Sequence, residues 1–334
     1  MPARTPAADL DLIAIGESQR DVFYMIHNAS LSCSIHKDRC LLCLEYAEKI
    51  QVERVVKVPA AGNSANAAVG ASRLGLKAAL VSWVGGDHAG KHLKEALAQE
   101  KVALKFVMMD DALPTNEATN IIFQGERTQL VYFQPRHHRL PKLPRTRSIY
   151  YSAMGLKHDA FDRLLLKELA RRPKAFFAFQ PGTTHIRQGF QAIRPLIAKS
   201  DLFILNKEEA HALLEDGERT ICNMLERFQH HGAKTIIITD GKNGADAWDG
   251  KTHWHMPIFD GEAKERTGAG DSFATAVTVA LLKGLDLPTA LRWGTANSWS
   301  VVSEIGPQKG LLTKQGIQRV LKKYAKIKPT VHKH

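Results

Sequence analysis

Short apolar segments alternate along this chain with stretches whose apolar residues recur at helical spacing, and this alternation limits the possible folds more than any other feature. The segments predicted as strands are typically followed by glycine or polar residues; they are 12–15, 79–84, 106–109, 149–153, 175–179, 202–206 and 235–238. Helical periodicity is clear between them, for example over residues 161–171. The pattern predicts an α/β protein with a doubly wound, mostly parallel sheet flanked by helices, and with ligands at the carboxyl ends of the strands.

Three other segments mix polar and apolar residues in a hairpin-like pattern: 55–58, 120–123 and 130–133. With a turn at residues 125–127, we expect them to form a small β-sheet lid over the functional site, its strands drawn from about 17–60 and 115–135. The whole chain, 1–334, is then a single domain. An exposed sheet edge invites pairing, so a homodimer through the lid is one arrangement open to the chain.

The length of 334 residues, 44% of them hydrophobic, is enough for one large α/β domain to bury its own core. No apolar run approaches the length that crosses a membrane, and residues 1–11 lack the basic-then-apolar character of a secretory signal. We therefore expect a cytoplasmic protein with no membrane partner.

The formal net charge of +12 fits a polyanionic partner, a class that includes nucleic acid but also nucleotides and sugar phosphates. Basic residues cluster in segments 136–147 and 322–334, and neither segment interleaves aromatic with basic residues as a stacking platform would. We interpret the first as a solvated loop and the second as a frayed terminus, so nucleic acid is not the expected partner.

The cysteines are too few for a disulfide framework in a chain of this size, so reduced thiols are expected; they are Cys33, Cys40, Cys43 and Cys222. Residues 30–50 look like an insertion between two predicted strands. Within it, a structural zinc ion could take four ligands, although their spacing is not that of a standard finger: Cys33, His36, Cys40 and Cys43. Because leucines surround the last two cysteines, buried thiols packing a short helix are the alternative.

Residues 267–271, Thr-Gly-Ala-Gly-Asp, lie between an extended segment and apolar residues at helical spacing, so we expect them to open a helix. Gly268 and Gly270 let the backbone approach a ligand closely, and with Ala269 their N–H groups can face an anion, because first-turn N–H groups have no partner within the helix. Asp271 stands beside that anion. Its carboxylate can cap the helix, or it can take a proton from a hydroxyl during phosphoryl transfer.

Polar residues also follow two other predicted strands, at the carboxyl ends where a sheet of this kind binds its ligands. Asn206 and Glu209 follow one of these strands, and Thr239, Gly241 and Gly244 follow the next. Together with the helix that opens at residue 268, they lie at one predicted edge of the sheet.

Two earlier segments suit a small polar ligand. Asp21 lies in the predicted loop after the first strand, where a turn or capping role is the alternative. Gly62, Asn63 and Asn66 begin a helix rich in alanine and glycine, and their backbone and amide groups suit sugar hydroxyls. The alternative is a tightly packed core helix that Asn63 caps.

These segments, in this order, resemble the ribokinase-like carbohydrate and nucleoside kinases, the PfkB family, along nearly the whole chain. Four spaced elements carry the resemblance: Gly62-Asn63 with Asn66-Ala67; residues 84–90, Val-Gly-Gly-Asp-His-Ala-Gly; residues 206–209, Asn-Lys-Glu-Glu; and residues 239–244, Thr-Asp-Gly-Lys-Asn-Gly, followed by 267–271. One element alone would be a weak signal, but their joint order is specific.

The resemblance implies ATP-dependent transfer of the γ-phosphoryl group to a hydroxyl of a sugar or nucleoside, helped by Mg²⁺. It implies that Asp271 is the catalytic base and that residues 268–270 form the anion hole. By the same resemblance, Asn206 and Glu209 order the Mg²⁺ and the phosphates. Whether a monovalent cation is also required is left open.

Two sets of binding residues are implied by the same resemblance. The ATP-binding set is Asn206, Thr239, Gly241, Gly244 and Asn297. The substrate-binding set is Asp21, Gly62, Asn63 and Asn66.

The chain departs from the family pattern at three positions, and these departures leave the substrate open. Ala61 replaces the first of two paired glycines, Glu265 replaces an aspartate, and Gln180 replaces an acidic residue that precedes a proline. The expected substrate is a ribose- or fructose-like sugar.

Two alternatives remain at this point. The first is an adenosine-like nucleoside, because Phe123, Tyr132 and Phe133 in the lid could stack on a base, although they could equally pack the lid. The second is a non-catalytic metal- or nucleic-acid-binding protein on a kinase fold, which the intact Asp271 and Glu209 argue against.

Overall fold

The computed structural model describes residues 9–34, 40–214 and 220–332. Its strands are β1 Leu10–Ile15, β2 Gln19–Ile26, β3 Ser30–Cys33, β4 Cys40–Cys43, β5 Val52–Ala61, β6 Ala78–Gly85, β7 Val107–Asp110, β8 Asn116–Phe123, β9 Glu126–Tyr132, β10 Thr146–Tyr151, β11 Phe176–Phe179, β12 Leu202–Asn206, β13 Thr235–Thr239, β14 Ala245–Trp248, β15 His253–Met256 and β16 Thr330–Val331. Its helices are α1 Asn63–Arg73, α2 His88–Gln99, α3 Asp159–Ala170, α4 Thr183–Gln188, α5 Phe190–Lys199, α6 Lys207–Leu214, α7 Ile221–His230, α8 Ala269–Leu282, α9 Leu287–Val302 and α10 Lys314–Lys323. Within these described ranges, no helix combines the length and the apolar character needed to cross a membrane.

Ten strands form one large sheet, in the order β16-β15-β14-β13-β12-β11-β10-β1-β6-β7. Neighbouring strands from β13 to β7 run parallel, whereas β14, β15 and β16 are added antiparallel at one side. The parallel strands are apolar along their length because helices cover both of their faces. In β1, for example, Leu12 and Ile13 are both fully buried although they face opposite sides. The prediction of a doubly wound, mostly parallel sheet is confirmed.

Alternate side chains of these strands belong to two hydrophobic cores, one on each face of the large sheet. Leu12 packs with side chains of α1, α8 and α9, whereas Ile13 packs with those of α3, α5 and α7. Burying a leucine or isoleucine side chain stabilises the fold by roughly 1.5–3 kcal/mol. Because the helices lie on both faces, the loops after the carboxyl ends of the strands meet along one edge of the sheet.

A separate small sheet has four strands in the order β5-β2-β8-β9. β2 and β8 run parallel, the two outer pairs run antiparallel, and a two-residue loop of Gln124 and Gly125 joins β8 to β9. Asp21 lies within β2, so the prediction of a loop at this residue is wrong. The sequence misleads here because the buried face of β2 begins with two polar residues, Gln19 and Asp21, instead of apolar ones.

The segment between β2 and β5 forms a hairpin of β3 and β4, and the alternative of a short helix is wrong. Cys33 and Cys40 face each other across the hairpin with their Cα atoms 4.0 Å apart, and they form a disulfide. The predictions of reduced thiols here and of a zinc site that includes these two cysteines are therefore wrong, because neither sulfur is left as a thiolate ligand. Cys43 is exposed, and strand alternation places it on the opposite face of β4 from Cys40. His36 lies outside the described residues.

The two basic segments take a larger part in the fold than predicted. Arg136 and His138 have buried side chains, so the interpretation of this segment as a solvated loop is wrong at both positions. Near the end of the chain, β16 pairs with β15, and His332 stacks on His253 with ring centroids 4.7 Å apart. The terminus therefore extends the large sheet up to residue 331.

Candidate active site

Asp271, the third residue of α8, is buried at the edge of the large sheet where the polar loops meet. Its Oδ2 accepts a hydrogen bond from Asn66 Nδ2 at 2.8 Å, and its Oδ1 accepts one from Gln180 Nε2 at 3.2 Å. Asn66 belongs to α1 and Gln180 follows β11, so three elements that are distant in sequence meet at one carboxyl group. Gln180 is held in turn by Tyr150, whose hydroxyl donates to Gln180 Oε1.

Burial raises the pKa of Asp271 above its ordinary value of 3.8. Hydrogen bonds from Asn66, Gln180 and Asn63 lower it again in part, as does the positive charge of Arg127, because all of them stabilise the charged carboxylate. A carboxylate with a raised pKa is a stronger base than an exposed one. Asp271 is therefore suited to accept a proton from a hydroxyl.

The backbone before Asp271 shapes a place for an anion. Gly268 caps α8 with a φ of 78°, in the left-handed region, and a Cβ on it would lie 2.5 Å from the Cβ of Pro307. At Gly270 the space is open, since the nearest atom to an added Cβ would be Gln180 Nε2 at 3.8 Å. The N–H groups of this first turn have no acceptor within the helix, so the start of α8 can receive a phosphate group.

At the end of β12, the side chains of Asn206 and Glu209 each accept a hydrogen bond from the backbone N–H of the other residue. The N–H of Asn206 donates to Glu209 Oε2 at 2.9 Å, and the N–H of Glu209 donates to Asn206 Oδ1 at 2.8 Å. The pKa of Glu209 is raised to about 7, mainly by burial and also by the negative charge of Asp271, although the hydrogen bond from the backbone of Asn206 opposes the increase. The carboxylate of Glu209 and the amide oxygen of Asn206 are oxygen ligands, the kind that Mg²⁺ prefers.

A cavity of about 430 Å³ lies beside the start of α8. Thr239, Gly241 and Gly244 line it, and so does Trp299. A Cβ on Gly244 would lie 2.2 Å from the carbonyl oxygen of Met256, so the chain passes too closely here for any other residue. Further apolar side chains complete the wall: Ile258, Phe259, Phe273 and Val302. The cavity suits a flat, partly apolar group beside an anion.

Asn297 is fully buried behind this cavity and does not line it. Its Nδ2 donates to the carbonyl of Ser272 at 2.9 Å, and its Oδ1 accepts from the N–H of Leu312 at 2.9 Å. Asn297 thus ties α9 to α8 and to the segment before α10. Its neighbours Thr295 and Ser298 lie on the cavity wall.

Asp21 approaches the same region from the small sheet and is buried. Gln19 Nε2 donates to its Oδ1 at 2.6 Å. Burial raises the pKa of Asp21 to about 7, and the charges of Glu265 and Asp271 add to the increase, whereas Gln19 and Arg127 oppose it. Arg127 shares this face of the small sheet with Asp21 and reaches Thr267 by a hydrogen bond, so the small sheet borders the start of α8.

The start of α1 borders this region as well. Gly62 is the residue before the helix, Asn66 donates to the carboxylate of Asp271, and Asn63 at the first position of the helix is near enough to lower the pKa of Asp271. The Oδ1 of Asn66 accepts a hydrogen bond from Gln308 Nε2 at 3.0 Å, which fixes the orientation of its amide. The predicted substrate positions and the predicted base are therefore in direct contact.

Two residues of the site were missed from the sequence. Gln180 was noted only as a departure from a family pattern. It follows a predicted strand, and its place at the carboxyl end of that strand makes it a candidate site residue. Arg127 was assigned to a turn, but it lies in β9, and its Nη1 donates to Thr267 Oγ1 at 2.9 Å. A correct register for β8 and β9 would have placed Arg127 on the face of Asp21.

A buried pair explains why the first basic segment folds inward. Glu17, just after β1, lies 2.6 Å from His138 Nε2 through Oε1 and accepts from Asn116 Nδ2 at 2.8 Å through Oε2. The side chains of Glu17 and His138 are each 2% exposed. The segment thus supplies a partner for a buried carboxylate, which its composition alone does not reveal.

Two of the three aromatic residues considered for base stacking, Phe123 and Tyr132, lie on the outer face of the small sheet, and the third, Phe133, follows the end of β9. Tyr132 is paired with Glu117 and lines a second cavity, of about 460 Å³, together with Arg20. Because successive side chains of a strand alternate, Arg20 and Asp21 point to opposite faces. Phe123 lies six residues after Glu117 in β8, an even number, so it shares this outer face.

Comparisons with known proteins agree with this geometry. The model of the family described as pfkB family carbohydrate kinase matches residues 33–314. The 5-dehydro-2-deoxygluconokinase of Lacticaseibacillus casei is 24% identical over 321 residues, which cover 90% of this chain and 92% of that protein. The ATP-dependent 6-phosphofructokinase of Thermoanaerobacterium thermosaccharolyticum is 26% identical over 253 residues, which cover 71% of this chain and 77% of that protein.

A solved structure shows the same fold. The ribokinase of Arabidopsis thaliana, complexed with ribose and ATP, superposes with a TM-score of 0.76 at 18% identity and covers 94% of this chain and 99% of its own. The likeness confirms the predicted architecture of a large, mostly parallel sheet with a small separate sheet.

Proposed function

The chain belongs to the pfkB family of carbohydrate kinases, and from this premise we propose that it transfers the γ-phosphoryl group of ATP to a hydroxyl of a small, ribose- or fructose-like sugar. The observation that carries the proposal is the position of Asp271. Its buried carboxylate stands in the first turn of α8, beside N–H groups that can receive a phosphate, and it contacts the predicted sugar-binding amides of α1.

The chemistry follows from this placement. As the sugar hydroxyl oxygen attacks the γ-phosphorus, its proton passes to Asp271, a new O–P bond forms, and the bond to the β-phosphate oxygen breaks to release ADP. The N–H groups at the start of α8 stabilise the charge on the transferred group, an effect typically worth about 2.7–4 kcal/mol for each such donor. Asp271 itself is held in place by Asn66 and Gln180.

ATP as donor is supported by the cavity beside Thr239 and Gly244 and by the name of the ATP-dependent relative. Mg²⁺ would be held through Asn206 and Glu209, and when bound it would neutralise phosphate charge. We propose that the small sheet is the lid of a single domain and that its edge strands, β5 and β9, are available for a homodimer. Because ATP is the donor, the proposed place of action is the cytoplasm.

A sugar fits this site better than a nucleoside. The inner face of the small sheet presents polar amides, with Gln129 Nε2 donating to Asn120 Oδ1 at 3.1 Å, and Asn120 pairs with Phe23, two residues after Asp21. Phe123 and Tyr132 belong to the outer face and are turned away from the inner one. Amides and carboxylates recognise hydroxyl groups, whereas a base needs an aromatic or apolar surface.

The proposal is tested by an ATP-consumption screen of the purified protein with Mg²⁺ against pentoses, hexoses, sugar phosphates and nucleosides. We expect consumption with at least one sugar, a phosphorylated product visible by ³¹P NMR, and loss of both in Asp271→Asn. Turnover with nucleosides alone would overturn the sugar assignment. No turnover with any acceptor would overturn the proposed function.

A further inference from the structure

The last helix, α10, carries a row of positive charges on its exposed side. The sequence has no aspartate or glutamate from residue 305 to residue 334. Six basic residues, all of them exposed, lie in α10 or shortly after it and form the basic row: Lys314, Arg319, Lys322, Lys323, Lys326 and Lys328. None of them belongs to the proposed kinase site, so the kinase reaction does not account for this surface.

The backbone that carries the basic row is held against the rest of the protein. On the opposite side of α10, Ile317 and Val320 are buried in the core that α1, α8 and α9 share. At the end of the helix, Arg292 of α9 donates through Nη2 to the carbonyl oxygens of Leu321 and Tyr324, at 3.3 and 3.2 Å. A partner therefore meets a backbone that is already ordered, and binding does not have to order it.

The charges of the basic row are not neutralised by the protein. Within residues 9–34, 40–214 and 220–332, no carboxylate lies at ion-pair distance from any residue of the row, and the ion pair of Lys309 with Glu304 precedes α10. Lys323 Nζ lies 4.8 Å from the ring centroid of Trp299 and 5.0 Å from that of Tyr324. A cation over an aromatic ring keeps its charge, so the row is positive along its whole length.

The basic row lacks the features that a membrane or a single strand would need. Because the apolar side of α10 is buried in the core, it is not available to enter a lipid surface as the apolar face of an interfacial helix does. The sequence has one aromatic residue between positions 314 and 328, Tyr324, and this ring stacks on Phe259 with centroids 4.5 Å apart. No ring of this segment is left to stack on an unpaired base. The lack of interleaved aromatic residues thus argues against a single strand and leaves a duplex open.

The spacing of the charges suits a phosphate backbone. Four residues of the row lie within α10, between Lys314 and Lys323, and span roughly 14 Å at about 1.5 Å per residue. Double-stranded DNA carries one negative charge per about 1.7 Å of its axis, so a rigid row of this length can contact several phosphates at once. Contacts to phosphates carry no sequence information.

We propose that the basic row of α10 binds double-stranded nucleic acid through its phosphates, without preference for base sequence. Lysine and arginine donate charge-assisted hydrogen bonds to phosphate oxygens, and their binding releases counterions from the duplex, so the affinity falls as the salt concentration rises. Binding of this kind has a Kd of about 10⁻⁶ to 10⁻⁴ M at physiological salt. The inference does not depend on the proposed kinase function.

The test compares two triple variants that lower the net charge equally. The first removes three charges of the basic row and leaves Lys323 on its aromatic rings: Arg319→Gln, Lys322→Gln and Lys326→Gln. The control removes three exposed charges on and just after α3, which packs on the other face of the large sheet: Arg163→Gln, Lys167→Gln and Lys174→Gln. Fluorescence anisotropy with a short labelled DNA duplex measures the affinity of the full-length protein between about 50 and 200 mM salt.

We expect the unchanged protein and the α3 control to bind the duplex with the same steep dependence of log affinity on log salt. The α10 variant should bind at least about tenfold more weakly at the lowest salt, and its slope should be smaller by about 2 to 3, since each lost phosphate contact removes about 0.9. The single variant Lys322→Gln, which changes one exposed side chain, should reduce the slope by about 1 and serves if the triple variant does not fold.

Three results would overturn the inference: no binding of the duplex by the unchanged protein at the lowest salt, equal binding by the α10 variant and the control, or an equal loss in both variants, which would reflect net charge alone. Phosphatidylserine vesicles, polyglutamate and an unpaired DNA strand are measured in parallel. Tighter binding to any of these than to the duplex would assign the basic row to a different partner and would also overturn the inference.

Discussion

The amide of Asn66 donates to Asp271 across 205 residues of sequence, and this one hydrogen bond joins the start of α1 to the start of α8. It has two effects at once. It keeps a buried carboxylate in its charged form, and it holds the substrate-side helix at a fixed distance from the proposed base. The geometry of Asp271 therefore depends on both halves of the chain.

Replacing the proposed base is expected to remove the chemistry and leave the fold intact. Asp271→Asn keeps an oxygen that can accept from Asn66, but it cannot take a proton, so kcat should fall by about 10²- to 10⁴-fold. Steady-state kinetics measures the loss, and calorimetric titration should show unchanged ATP affinity. Asp201→Asn, just before the amino end of β12 and so at the opposite edge of the sheet from the site, is the control and should keep its kcat. Substantial turnover by Asp271→Asn would contradict its role.

As the pH is lowered, the activity should begin to fall at a higher pH than it would if it depended on carboxylates with ordinary pKa values. The pKa of Glu209 is raised to about 7, so Glu209 protonates as the pH falls through neutrality, and the raised pKa of Asp271 means that it protonates at a higher pH than an ordinary aspartate does. We expect kcat/KM for the sugar to fall in that range, and saturating Mg²⁺ to move the fall to lower pH by favouring the charged Glu209. Glu209→Gln should abolish the Mg²⁺-dependent movement. A profile that is flat down to the pH of ordinary carboxylates would contradict this account.

Asp21 should weaken the fold at alkaline pH. Its pKa is raised from 3.8 to about 7, so the folded protein binds its proton more tightly than the unfolded chain. The resulting stability is complete below 3.8 and is lost as the pH rises through about 7. Asp21→Asn, which can still accept from Gln19, should therefore raise the free energy of unfolding more at pH 8 than at pH 5, and the difference between the two pH values should be at most about 3 kcal/mol. Urea unfolding at both pH values tests this, and an equal effect at both would contradict it.

Two glycines with the same φ allow the cost of backbone strain to be measured separately from the cost of a steric clash. Gly268 and Gly284 both have a φ of 78°, but an added Cβ meets Pro307 at 2.5 Å in the first case and nothing within 4 Å in the second. Gly284→Ala should cost about 1–2 kcal/mol of unfolding free energy, and Gly268→Ala should cost about 1–3 kcal/mol more. Gly270→Ala, where space is open, should fold normally but bind ATP more weakly. Equal losses for the first two variants would count against the close contact with Pro307.

The thiols should react in a defined order. Cys43 is exposed and Cys222 is half-buried, whereas Cys33 and Cys40 form a disulfide. Without reductant we expect one fast and one slow thiol in a titration with an aromatic disulfide reagent, and two more after reduction and unfolding. Four reactive thiols in the unreduced, unfolded protein would show that the disulfide does not form.

The large sheet and the main site were predictable because each depends on local pattern. Strands buried on both faces, such as β1, show as continuous apolar runs, and polar residues that follow them, such as Asn206, lie at the ligand-binding edge for topological reasons. The start of α8 was predicted from the apolar residues at helical spacing that follow Asp271, whereas Gly268 and Gly270 alone did not decide between an anion site and an ordinary helix cap.

The wrong predictions concern residues whose conformation depends on contacts with residues elsewhere in the fold. Asp21 was placed in a loop because a strand that faces a polar pocket lacks apolar alternation. The Cys33–Cys40 disulfide depends on which residues face each other in a hairpin, and spacing in the sequence does not determine this. His138 was taken as solvated because its partner, Glu17, is 121 residues away.

The hairpin of β3 and β4 offers a practical consequence. It is inserted between two strands of the small sheet, and it carries the exposed sulfur of Cys43. In a Cys222→Ser background, a fluorophore attached at that sulfur would travel with the hairpin. A change in its emission on adding a sugar, or ATP with Mg²⁺, would then report whether the small sheet moves when that ligand binds.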